Sequence, residues 1–340
     1  MKKIELSRLP ELLKKISRAQ TLYIPADDAE GVAKFTRYTD GTELSKELNT
    51  ARSAKDLFFP QVENLVDFKM KGREISVIDS REPTEDFVLF GVRACDARSF
   101  DILDRVFLAE PADTFYQQRR AHGTVVTMAC GEPEETCFCT SFGIDAADPA
   151  GDVTAWTVEN AVYFRANTEK GEKLLAGLHL AEDDGKQVEA WQKKARKALE
   201  KLPIGKLKLD GFDGEHMLEK FNRPEWQQLS EACLGCGTCT FVCPTCQCYD
   251  VKDFNTGDEI KRFRCWDSCM YSDFTKMSAG QPRPTQKERF RQRFMHKLVY
   301  FPMNNDGIFG CVGCGRCLQK CPIHMNIVKV AKTIGGDSHE

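Results

Sequence analysis

Several familiar routes to function are missing from this chain. No stretch approaches the roughly 18 consecutive apolar residues that cross a bilayer, so no membrane span is expected. Lys2 and Lys3 imitate the start of a secretion signal, but Glu5, Glu11 and Lys14 interrupt the apolar run such a signal needs. The cytoplasm is therefore the expected compartment. A formal charge of −3 supplies no strong basic field, which argues against a nucleic-acid partner. The six histidines form no H-E-x-x-H pair, and there is no G-x-S-x-G elbow or phosphate-binding loop. No segment is of low complexity.

Cysteine is what the chain has in quantity: sixteen among 340 residues. The rest of the composition, 41% hydrophobic and 29% charged, is that of an ordinary globular protein long enough for two domains. In a reducing compartment sixteen thiols are not a disulfide framework, so metal or redox chemistry is the expectation.

Residues 1–178 read as an α/β domain. Leu6, Leu9, Leu12, Leu13 and Ile16 share one face of an N-terminal helix. TLYIPA (21–26), ISVID (75–79), FVLFGV (87–92) and TVVTMAC (124–130) read as buried strands. Helical spacing of Phe100, Leu103, Val106 and Phe107 places a helix between the last two. VTAWTVENAVYFRA (153–166) reads as a hairpin turning at Glu159-Asn160. A helical connector follows over 179–225, with Val188, Trp191, Ala195, Ala198 and Leu202 on one side and Pro224 opening a last helix. Residues 226–340 form an expected α-rich second domain.

That domain repeats one unit. CLGCGTCTFVCP (233–244) and CVGCGRCLQKCP (311–322) share every cysteine, both glycines and the final proline. Each has the C-x2-C-x2-C-x3-C-P spacing of bacterial ferredoxins, where the fourth cysteine of one motif serves the other motif's cluster. Cys233, Cys236, Cys239 and Cys321 are thus expected to hold one [4Fe–4S] cluster, and Cys311, Cys314, Cys317 and Cys243 a second. Gly235, Gly237, Gly313 and Gly315 suit a loop that turns tightly and offers amides to sulfur. Structural zinc usually takes two separated C-x2-C pairs, a pattern these runs do not follow. Gly313-x-Gly315 lacks the third glycine of a dinucleotide fingerprint. The fold class is therefore an α/β domain followed by a ferredoxin-like 2[4Fe–4S] unit, with a long insertion over 244–310. Within the insertion, RPTQKERFRQRFMHK (283–297) is basic and reads either as a docking face or as a helix solvating itself.

Eight cysteines remain. Cys95 and Cys130 each follow a strand, and Cys137 and Cys139 lie in the loop after Cys130. Loops at the carboxyl ends of strands in such sheets meet in one crevice, so these four make either a third cluster site or buried apolar contacts. Cys246, Cys248, Cys265 and Cys269 stay unassigned, as a fourth metal site or as structural thiols. His324, near Cys321, reads as a surface histidine, while Asp96 and Asp267 read as backbone caps or turns.

FVLFGVRACDARSFDILDRVFL, CGEPEETCFC, CLGCGTCTFVCPTCQCYDV, RCWDSCM, RPTQKERFRQR and CVGCGRCLQKCP together resemble two related subunits. These are the β subunit of cytoplasmic sulfhydrogenases and the A subunit of anaerobic sulfite reductase. The likeness extends from about residue 20 to 325. It implies a non-catalytic electron-transfer subunit of anaerobic metabolism. Its partners would be a flavoprotein that binds NAD(P) and a terminal hydrogenase, sulfite reductase or heterodisulfide reductase. It also implies a third cluster at Cys95, Cys130, Cys137 and Cys139. The family pattern extends to Cys246, Cys248 and Cys269, and not to Cys265. Two other functions fit the residues: a reductase with its own small-substrate site at the N-terminal cysteines, or a redox sensor.

Overall fold

Runs rich in Val, Ile and Phe build most of the strands, as β propensity favours on a half-buried pleated surface. In the first half the order is β1 (Lys2–Glu5), α1 (Leu9–Ala19), β2 (Thr21–Asp27), β3 (Ala33–Arg37), β4 (Val62–Lys71), β5 (Glu74–Asp79), β6 (Phe87–Arg93), α2 (Ala94–Phe107), α3 (Thr114–His122), β7 (Gly123–Met128), β8 (Val153–Val158), β9 (Ala161–Ala166), α4 (Glu169–Ala176) and β10 (Ala181–Glu182). The second half continues with α5 (Lys186–Leu199), α6 (Met217–Phe221), α7 (Glu225–Glu231), α8 (Thr238–Phe241), β11 (Tyr249–Asn255), β12 (Glu259–Trp266), α9 (Gln286–Met295), α10 (Phe301–Met303), α11 (Arg316–Gln319) and α12 (Ile327–Gly335). This computed structural model describes residues 1–335, so the last five residues of the expected second domain lie outside the described residues. Among the described residues no helix is long and apolar enough to cross a membrane.

An eight-stranded sheet runs β10-β1-β9-β8-β7-β6-β2-β3. Its centre, β2-β6-β7-β8, is parallel. Every residue of β6 from Phe87 to Val92 is buried, as expected of a parallel strand covered on both faces. Leu12, Leu13 and Ile16 of α1 pack with Ile24, Val88 and Phe90 on one face. Phe100 and Leu103 of α2 pack with Leu89 and Val92 on the other. Because β6 and β7 are parallel neighbours, the segments that leave their carboxyl ends lie side by side.

Four expectations change. Helix α1 begins only at Leu9 because Pro10 suits the first turn of a helix, and residues 2–5 pair instead with β9 and β10. The ISVID run is a strand but not a buried one: Ile75 and Val77 are 64% and 67% exposed. It forms the edge of a second sheet, β11-β12-β4-β5. That sheet crosses the boundary expected between the two domains, since the insertion's hairpin pairs with β4 (Ile260 opposite Phe68). Long-range strand pairing leaves no local trace in sequence. Likewise, Val188 of α5 buries against Trp156 and Tyr163, so the connector belongs partly to the first sheet's core.

Candidate metal centres

The repeated motifs fold alike. Gly235, Gly237, Gly313 and Gly315 have φ of 66°, 73°, 59° and 78°, the left-handed region that glycine enters without steric cost. Gly237 and Gly315 open α8 and α11. Space matters as much as dihedral angle at the second motif. A Cβ on Gly313 would sit 2.4 Å from the carbonyl oxygen of Phe138, and one on Gly315 would sit 2.7 Å from that of Thr136. The Phe138 amide also donates to the Gly313 carbonyl at 2.9 Å. The loop carrying Cys137 and Cys139 is therefore pressed against the second motif.

This packing gathers the thiols around cavities. Cys243 lines one cavity with Cys311, Cys314 and Cys317, although it lies in the other motif. Cys95, Cys130, Cys137 and Cys139 line another, and Cys314 borders this one too. Cys239 lies close enough to Cys233 and Cys236 to feel their charge. Cys233 and Cys321 both pack, partly buried, on one apolar cluster. Cys246, Cys248 and Cys269 line a third cavity, from which Cys265 is absent. Cys265 sits in β12 opposite Asp250 and Val62. Among the described residues no three potential ligands converge on one point as a single metal ion requires. A tetrahedral zinc would draw its thiolates to about 3.8 Å of one another. The thiols line cavities instead, although Cys243 pairs with Cys246 and Cys248 with Cys269 through side-chain hydrogen bonds.

Sequence reading missed the cations. Lys55, Arg293, Lys297 and Arg316 are all buried, with exposures of 2%, 4%, 5% and 1%. Arg316, in the second motif, grips Asp96 through two bonds of 2.5 and 2.7 Å. Asp96 is thus the partner of a buried arginine rather than a backbone cap. Asp267 does act as a turn residue, accepting from the Ser268 amide at 2.6 Å. His324 is exposed. The Lys55 ammonium donates to the carbonyls of Cys243 (3.2 Å) and Cys246 (2.9 Å). Lys297 donates to Thr245 Oγ1 (2.8 Å) and the Gly310 carbonyl (3.0 Å), while Arg293 Nε has no partner. Among the described residues none of these three pairs with a carboxylate. The basic stretch 283–297 therefore turns two charges inward instead of solvating them. The only sequence signal was its closeness to the cysteine runs.

Burial raises the pKa of several thiols, while side-chain hydrogen bonds lower that of Cys236, Cys243 and Cys248, the last to about 7. Burial pushes Cys139 and Cys311 up to about 12 and Cys137 up to about 11. Conversely, burial opposes the charges of Arg293 and Lys297, but neighbouring thiols hold both above their ordinary values, with Cys243 and Cys246 contributing to each. Buried cations that lack carboxylates need anions nearby. Four thiolates on an iron–sulfur cubane carry a net negative charge, so the donor sets, the tight glycine loops and the cations fit such a group. A cleft of about 620 Å³ beside Tyr23, Glu63 and Arg119 contains no cysteine.

These features define an iron–sulfur protein. A family model described as a 4Fe-4S dicluster domain matches residues 232–325, so two [4Fe–4S] clusters belong to this region. Sulfhydrogenase 2 subunit beta of Pyrococcus furiosus is 31% identical over 335 residues, which is 96% of either chain. The chain belongs to the family of sulfhydrogenase β subunits, and is an iron–sulfur subunit of an oxidoreductase. No solved structure matches it.

Proposed function

We propose that this chain is an electron relay within a multisubunit oxidoreductase and carries at least three [4Fe–4S] clusters. Cys233, Cys236, Cys239 and Cys321 would hold the first. Cys243, Cys311, Cys314 and Cys317 would hold the second, completing a ferredoxin-like unit over 226–340 interrupted by the 244–310 insertion. Cys95, Cys130, Cys137 and Cys139 would hold the third within the α/β domain of residues 1–178. Bound clusters supply one-electron transfer; the protein supplies spacing, burial and charge. The observation that carries this reading is Cys314, which borders both the cavity lined by Cys243, Cys311 and Cys317 and the cavity lined by Cys95, Cys130, Cys137 and Cys139. Two redox groups separated by one side chain form a continuous path. Phe138, buried in the apolar core and hydrogen-bonded to Gly313, lines the cavity of Cys243, Cys311, Cys314 and Cys317.

The partners at either end would be a flavin-bearing subunit that binds NAD(P) and a terminal module. The relative from P. furiosus is named as part of a sulfhydrogenase, which favours a hydrogenase-type module over a sulfite or heterodisulfide reductase. The test is anaerobic iron and labile-sulfide content with Cys137→Ser beside the parent. The parent should hold at least about twelve irons, and the variant about four fewer. An unchanged iron content would remove the third cluster. Turnover of sulfite or a disulfide by the purified chain alone would replace the relay with an enzyme.

A further inference from the structure

One group of thiols lies outside both motifs and the N-terminal set, and its surroundings are not those of idle cysteines. Cys246, Cys248 and Cys269 line one cavity together with Arg293, His296 and Lys297. Arg293, His296 and Lys297 stand at positions i, i+3 and i+4, the spacing that places three side chains on one helix face. Helix α9 passes directly into a π-helical turn over His296–Tyr300. Such turns are rare and recur at functional sites. The His296 ring makes no hydrogen bond to any described residue.

Charge makes the same case. Arg293 and Lys297 project into this space, while Lys55 closes it from the backbone side through the Cys246 carbonyl. These are three buried cations with no carboxylate partner among the described residues. Arg293 and Lys297 line the second motif's cavity as well as this one. Cys246 is among the groups that favour the charged forms of Lys55, Arg293 and Lys297, and metal binding holds such thiols as thiolates.

We infer that Cys246, Cys248, Cys269 and His296 hold a fourth iron–sulfur cluster, with three thiolates and one imidazole. Among the described residues these four ligands do not converge on one point, as a single zinc ion would require, and the cavity they share suits a cluster instead. Segment 243–248 then serves two neighbouring centres: Cys243 faces the second motif's cavity while Cys246 and Cys248 face this one. Imidazole ligation raises the potential of an iron–sulfur centre relative to full thiolate ligation. The inference does not depend on which subunits flank the chain.

The test uses the full chain, purified anaerobically, and its Cys248→Ser/Cys269→Ser and His296→Ala variants. The parent should contain about sixteen irons. The double variant should lose about four while the other clusters' EPR signals persist. Pulsed EPR of the reduced parent should show nitrogen hyperfine coupling from a directly bound imidazole, absent in the His296→Ala variant. Should the double variant fail to fold, the parent's iron count and nitrogen coupling decide. A parent with about twelve irons overturns the fourth cluster while leaving the three-cluster relay intact. One zinc per chain, or a Cys248–Cys269 disulfide in the anaerobic protein, also overturns it. Sixteen irons without nitrogen coupling overturns the histidine ligation.

Discussion

Arg316 and Asp96 illustrate how single side chains couple the two halves of the chain. Both are 1% exposed, and the arginine also donates to the Thr50 carbonyl at 2.8 Å. Removing one partner of a buried ion pair leaves an uncompensated charge, which typically costs about 3–5 kcal/mol. Asp96→Asn should therefore lower the denaturation midpoint by an equivalent amount, measured in guanidinium under anaerobic conditions. Lys297 has a different role, because its charge stands among thiols rather than beside a carboxylate. A cation near an iron–sulfur centre favours the reduced, more negative form. Lys297→Met should lower the midpoint potential of one cluster, on the order of 100 mV for a unit charge at an effective dielectric of about 20. An EPR-monitored redox titration that finds every potential unmoved would separate Lys297 from the clusters.

At the scale of elements, the insertion contributes both a hairpin and a helix. Arg264 of β12 is buried between Glu63 and Asp113, which draws the hairpin onto the first half of the chain. Trp266 stacks on Phe59 with centroids 5.9 Å apart, and the Lys55 ammonium lies 3.5 Å from its ring centroid. Trp266→Ala should cost about 3–5 kcal/mol through the cavity it leaves. Hydrogen exchange in β11 and β12 should then accelerate more than in β6. Helix α9 begins with a capping box, in which the Glu288 carboxylate accepts from the Thr285 amide at 2.8 Å. That cap sets where the helix starts, and hence where Arg293, His296 and Lys297 fall.

The whole molecule is tied across its expected boundary by a shared sheet, by Arg316 with Asp96, and by the loop of Phe138 on Gly313. None of these ties lies within one half. Denaturation followed by tryptophan fluorescence and by the visible absorbance of the clusters should therefore give coincident transitions, as two-state unfolding requires. Two separated transitions would show that the halves fold independently.

Much of this architecture was legible in the residues. Local spacing identified the motifs, because the first three thiolates of a cluster come from one tight loop and their separations are set by backbone geometry. The glycines were legible for the same reason, since positive φ is a local demand. The strands β2, β6 and β7 and the hairpin β8–β9 were visible because a buried strand must be apolar along its length. The burial of ISVID was misread, because a short apolar run looks the same on an open edge as in a core. Four things waited on the tertiary structure. These were the β4–β12 pairing, the burial of Lys55, Arg293, Lys297 and Arg316, the second role of Cys314, and the cavity shared by Cys246, Cys248 and Cys269. Each depends on which distant segments meet. By itself the sequence determined that this is a cluster-binding protein; only the folded chain decided which thiols and cations share a space, because charge compensation in a core is settled by proximity and not by order along the chain.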